Sequence, residues 1–123
     1  MIRNFLLVGV GGAAGSMARY GISYAINRVL THPFPLATFL INVMGCLLIG
    51  VLFGLVSRYN WMQQWGVLLL ASGFCGGFTT FSTFALENVT LMQKSQSAVA
   101  LVYTFLSIAI GLLLCRVGMW LTA

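Results

Sequence analysis

Acidic side chains are almost missing from this 123-residue chain: Glu87 is the only one, and aspartate does not occur. No carboxylate pair and no ordinary acid–base dyad can be assembled from it. Histidine occurs once, as His32 between Thr31 and Pro33, where a solvated loop residue is expected in place of a ligand. The three cysteines, Cys46, Cys75 and Cys115, show none of the close spacings of zinc or redox sites. They read as small apolar residues packing between helices. Together these shortages argue against an enzyme. Charge of either sign is also scarce, at 6% of residues against roughly 25% in soluble domains. What fills the space is apolar: 60% hydrophobic residues and a mean hydropathy of +1.01.

At this length the chain is expected to be one domain, residues 1–123. A helix needs about 20 apolar residues to cross the hydrocarbon core. Four segments meet that requirement, near Phe5–Ile26, Leu36–Val56, Trp65–Leu91 and Ser97–Leu121. The intervening stretches are short and carry turn residues: Thr31-His32-Pro33-Phe34-Pro35, Ser57-Arg58-Tyr59-Asn60 and Gln93-Lys94-Ser95-Gln96. The predicted fold class is therefore all-α, integral to the lipid bilayer, with four transmembrane helices per subunit and no separate soluble domain.

Two patterns near the N-terminus invite other readings. Arg3 followed by Phe5-Leu6-Leu7-Val8, with Ser16-Met17-Ala18 downstream, resembles a cleavable secretory signal. Against that, the apolar stretch is rich in glycine and runs on through Tyr20 to Ile26. Gly9-Val10-Gly11-Gly12-Ala13-Ala14 loosely matches a dinucleotide fingerprint, but that motif needs a βαβ unit and an acid some 20 positions on. Neither requirement is met.

Glycines four apart, Gly11/Gly15, Gly50/Gly54 and Gly73/Gly77, place small residues on one helix face and predict close helix–helix approach. The basic residues are distributed evenly. Arg3, Arg58 and Arg116 fall toward one side of the membrane, and Arg19, Arg28 and Lys94 toward the other. The excess of Lys and Arg that normally fixes orientation is absent. Insertion in both orientations and pairing as an antiparallel homodimer are the expectation. The net charge of +5 comes from residues scattered singly around the span ends, which is not a nucleic-acid footprint.

The third span carries Gly73-Phe74-Cys75-Gly76-Gly77-Phe78-Thr79-Thr80-Phe81-Ser82-Thr83-Phe84. Glycine weakens a helix by roughly 1 kcal/mol relative to alanine. In hydrocarbon, backbone released from a helix must be buried in protein or line a wet path. A break in this helix is therefore predicted to border a route for a small solute. Polar residues inside the other spans extend the pattern, because they are expensive there and mark function. Thr38 and Asn42 share a face of the second span, and Tyr103 and Ser107 share a face of the fourth, with Thr104 adjacent. With Thr79, Thr80, Ser82 and Thr83 they form a set of uncharged donors suited to an anion. Phe78, Phe81 and Phe84 recur every three residues, and ring edges carry positive potential that can face an anion. The helix restarting after the glycines adds N–H groups and a positive dipole end.

Three segments resemble the bacterial and archaeal fluoride channels, the Fluc family of camphor-resistance CrcB proteins. They are Gly11-Gly12-Ala13-Ala14-Gly15-Ser16-Met17-Ala18-Arg19-Tyr20, Thr38-Phe39-Leu40-Ile41-Asn42-Val43-Met44-Gly45, and Gly76-Gly77-Phe78-Thr79-Thr80-Phe81-Ser82-Thr83-Phe84. The resemblance implies an antiparallel dual-topology dimer in the bacterial inner membrane, with a broken third helix and two pores built by both subunits. Asn42 would hydrogen-bond the permeating fluoride, and Phe81 and Phe84 would line the pore with ring edges. Ser82, Thr83 and Thr38 would offer hydroxyls, and Tyr103 and Ser107 would extend a polar track that Gly111 cannot continue. A sodium ion on the dimer axis would be held by the main-chain carbonyls of Gly76 and Thr79 from each subunit. Arg19 would either attract anions to a vestibule or anchor the span end. Cys46 and Ala37 depart from the family pattern, where a small hydroxyl residue and glycine are common, without touching the motif donors.

Fluoride is small and strongly hydrated, so a narrow pore must replace its water with short hydrogen bonds. A passive leak driven by the membrane potential would expel it. Small multidrug-resistance exporters have similar length and topology but depend on a first-span glutamate, which this chain lacks. A structural subunit of a larger membrane complex would not need donors on three spans.

Overall fold

Each predicted span folds as helix, because long apolar runs without interior proline leave the backbone no better way to satisfy its own polar groups. The computed structural model describes residues 1–122. It contains α1 (Ile2–Val29), α2 (Leu36–Val56), a π-type helix π1 (Met62–Cys75), a short α3 (Gly76–Phe78), α4 (Phe81–Gln93) and α5 (Ser97–Thr122). No strand occurs among the described residues. The four segments long and apolar enough to cross a membrane are Ile2–Val29, Leu36–Val56, Met62–Gln93 and Ser97–Thr122, each containing or equalling its predicted range. This is a multi-pass membrane architecture.

The turns have local causes. α1 ends at Leu30, in extended conformation, ahead of Pro33 and Pro35, and Pro35 caps the start of α2. α4 closes with Ser95 in the left-handed region at φ 60°; the Gln96 N–H reaches the Leu91 carbonyl at 2.8 Å and the Ser95 N–H that of Met92 at 3.2 Å. That paired closure is the Schellman arrangement, and it turns the chain within three residues into α5.

Two helix pairs build the subunit: α1 against π1 and α3, and α2 against α5. Glycine makes both possible. A Cβ on Gly11 or Gly15 would collide with the backbone of Leu69 or Phe74, and one on Gly50 with the Cys115 carbonyl. A Cβ on Gly77 would likewise collide with the Gly12 backbone, and one on Gly118 with the Leu47 carbonyl. The predicted glycine pairs thus sit at close helix crossings, joined by Gly118, which pairing at four-residue spacing did not single out. Large apolar residues on the remaining faces, such as Phe5, Leu112 and Trp120, are exposed, as suits a chain solvated by lipid. The three cysteines are free; Cys75 is buried, Cys46 and Cys115 are half-buried, and the latter two flank the α2–α5 crossing.

Candidate functional site

Thr79 and Thr80 adopt extended backbone angles, with φ −81°, ψ 158° and φ −148°, ψ 123°, between the end of α3 and the start of α4. The wide turns of π1 lead into this point, and the Gly76 N–H still reaches five residues back to the Ala71 carbonyl. Two N–H groups further on have side-chain acceptors. In a continuous helix the Thr80 N–H would serve the Gly76 carbonyl and the Thr83 N–H that of Thr79. Here the first donates to Asn42 Oδ1 at 2.9 Å and the second to Thr80 Oγ1 at 3.2 Å.

Asn42 also donates from Nδ2 to the Thr80 carbonyl at 3.0 Å, so one side-chain amide from α2 satisfies both backbone groups of Thr80. From the other side, Arg19 Nε donates to the Gly77 carbonyl at 3.1 Å, with the Ser16 hydroxyl at 3.5 Å. This contact places the Arg19 charge at a helix C-terminus, where the dipole favours a cation. Thr79 Oγ1 bonds back to the Cys75 carbonyl at 2.9 Å, and Thr80 Oγ1 donates to Thr83 Oγ1 at 3.1 Å while capping α4. Ser82 is exposed in the first turn of α4, 3.5 Å from Thr80 Oγ1.

An open cleft of about 490 Å³ adjoins Thr79 and Thr80. Asn42, Gly76, Thr79, Phe81, Phe84 and Ser107 line it, which gathers expected residues from the second, third and fourth spans. Phe81 is 80% exposed, and its ring lies 5.9 Å from that of Phe84. Phe78 does not continue this row. The extended residues fall between positions 78 and 81, and Phe78 is instead buried in the core, stacked on Phe74 at 5.6 Å. Ser107 Oγ is the one buried side-chain polar atom without a hydrogen-bond partner among the described residues.

Thr38 and Tyr103 lie outside that cleft and meet at Glu87, a residue the sequence reading used only as an absence elsewhere. The Thr38 hydroxyl donates to Glu87 Oε2 and the Tyr103 hydroxyl to Oε1, both at 2.9 Å. Tyr103 is fully buried and packs on Phe34 at 5.4 Å and on Phe84 at 4.9 Å, so the Phe84 ring links the two groups. Beside it, Asn88 Oδ1 accepts from Thr104 at 3.2 Å. The signal for Glu87 was present: a lone acid inside a span must find donors, and hydroxyls were already noted on the neighbouring helices. Ser82 and Thr83 sit at the α4 cap and do not line the cleft. His32 is exposed, as expected, and its Nδ1 accepts from the Phe34 N–H at 3.0 Å. No cluster of metal-ligating side chains occurs among the described residues.

Comparison with known proteins places this geometry in a family. Residues 6–119 match the profile described as CrcB-like protein, Camphor Resistance (CrcB). A fluoride-specific ion channel FluC from Azobacteroides pseudotrichonymphae is 39% identical over 122 residues, covering 99% of this chain and 98% of its own. Another protein of that name from Methylobacillus flagellatus is 44% identical over 114 residues, covering 92% and 89%. A third, from Ignicoccus hospitalis, is 42% identical over 117 residues, covering 95% and 93%. With matches of this length running through all four spans, the chain belongs to the CrcB family.

Proposed function

We propose that this chain is the subunit of a fluoride-selective ion channel that passively exports fluoride across the bacterial inner membrane. The observation that carries the reading is the open cleft beside Thr79–Thr80, where Asn42, Ser107 and the rings of Phe81 and Phe84 converge without any ionised group. The unpartnered Ser107 hydroxyl offers an anion a donor there, and the exposed Phe81 ring offers a positive edge. Relatives carrying the name fluoride-specific ion channel support the choice of ion.

The channel is an antiparallel dual-topology homodimer with two pores, and the third span acts as a broken helix at its centre. An open cleft and a phenylalanine ring left uncovered in the membrane are what one subunit would present before a second completes the walls. Thr38 and Tyr103 belong to the same route, acting through Glu87, and Ser82 and Thr83 border it from the α4 cap beside Thr80. The whole chain, residues 1–123, is one channel domain and performs no enzymatic step.

A sodium ion fits the break chemically. The Gly76 and Thr79 carbonyls lose their helical N–H partners to Asn42 and Thr80 side chains, so each subunit frees two neutral oxygens of the hard kind sodium prefers. Two inverted subunits would supply four.

Fluoride efflux from proteoliposomes of the purified protein tests the reading. Efflux well above empty liposomes, with chloride excluded, is expected; no flux, or equal chloride flux, would reject it. A proton-coupled drug exporter is not favoured, because the only acid has both oxygens occupied by hydroxyl donors and lies in the third span. A purely structural subunit has no use for donors gathered from three spans.

A further inference from the structure

A second cleft of about 370 Å³ opens between the loop joining α1 to α2 and the turn joining α4 to α5. His32, Lys94 and Gln96 line it from these loops, Thr90 lies on its wall, and Glu87 is reached from it. The same Glu87 holds the hydroxyls of Thr38 and Tyr103, so this cleft leads from the loops to the polar residues within the spans.

We propose that this cleft is an anion antechamber, and that Lys94 is the residue that lets a small hard anion enter it. The inference rests on the channel reading above. The charged groups lining the cleft are Lys94 and Glu87, which cancel. Without Lys94 the carboxylate would leave the cleft negative and repel anions at the point where they shed their water. A lysine is suited to the task, because its ammonium is a compact point charge on a flexible stem, able to meet an ion and release it. The Schellman closure fixes the Lys94 backbone at the rim, since both Ser95 and Gln96 are tied back to α4. His32 adds neutral donor chemistry: its Nδ1 accepts from Phe34, so in the neutral ring the proton resides on Nε2. Arg28 provides an internal contrast. It lies on the same side of the membrane, but its guanidinium stands 5.6 Å over the Tyr24 ring and does not line the cleft.

Field effects of this kind fall with ionic strength, because the screening length shrinks from about 30 Å at 0.01 M to about 3 Å at 1 M. Initial fluoride efflux from proteoliposomes should therefore be measured at both extremes for wild type, Lys94→Gln, Lys94→Arg and Arg28→Gln. Lys94→Gln should reduce flux at least about threefold at low ionic strength and recover to near wild type at high, while Lys94→Arg and Arg28→Gln stay near wild type throughout. Equal loss for Lys94→Gln at both salts would mean structural damage and overturn the proposal. So would no loss at low salt, or a matching loss for Arg28→Gln. If Lys94→Gln yields no protein, a low-salt loss of about threefold or more in Lys94→Arg, which keeps the charge, overturns it equally. Absent flux in wild type would instead reject the channel reading, which keeps the two failures distinct.

Discussion

The Asn42 side chain and the Thr80 backbone form a closed pair of hydrogen bonds, Nδ2–H to carbonyl at 3.0 Å and N–H to Oδ1 at 2.9 Å. An amide is the side-chain group that both donates and accepts in one plane, so no other residue of similar size replaces it. Asn42→Asp keeps the acceptor and loses the donor, leaving the Thr80 carbonyl facing a carboxylate. A loss of about 1 kcal/mol is expected from such a half-buried mismatch. Thermal unfolding in detergent should rank wild type above Asn42→Asp, and fluoride efflux should be lost in that variant.

Glu87 makes a parallel case. Glu87→Ala would leave the Thr38 and Tyr103 hydroxyls without their acceptor, at a cost of about 1–3 kcal/mol for each unsatisfied group. Glu87→Gln keeps one acceptor and should fall between alanine and wild type in melting temperature. If the alanine variant melts like wild type, the three residues do not act as a unit.

Glycine substitutions should divide by what lies above them. A methyl on Gly15 would meet the Phe74 carbonyl and the Phe78 N–H, neither of which can move without displacing π1 or α3. Gly15→Ala should destabilise by about 1–3 kcal/mol, as overpacking does. Gly21 has open space around the same position, and Gly21→Ala should gain roughly 0.5–1 kcal/mol from helix propensity. A comparison of the two melting curves checks the close crossing directly.

Phe81 is mostly exposed on the single subunit, so Phe81→Ile removes a ring edge from the cleft without emptying the core. Fluoride efflux should vanish while the elution profile and melting temperature of the purified protein stay at wild-type values. Retained transport would move the pore away from this residue.

Replacement of sodium by choline should lower the melting temperature of the wild-type protein, because the Gly76 and Thr79 carbonyls would lose the cation proposed to satisfy them. Identical melting in the two salts would remove sodium from the reading.

Much of this was legible in the chain itself. Apolar runs of spanning length, short proline-bearing loops and the near-absence of acids determined a four-span membrane protein, because hydrocarbon admits only backbone that satisfies itself. Glycine spacing foretold the close crossings, and the resemblance in three motifs pointed to the family. Pairings between spans were another matter. That Arg19 ends on the Gly77 carbonyl, that Asn42 clasps Thr80, and that Thr38 and Tyr103 spend their hydroxyl hydrogens on Glu87 are contacts between residues 16 to 58 positions apart. Periodicity places a residue on a face but says nothing of which face it meets. Phe78 shows the limit most plainly: a three-residue rhythm aligned it with Phe81 and Phe84 only while the helix was continuous. Two extended residues separate it from them and leave it in the core on Phe74, while an amide on another helix holds the second of the two.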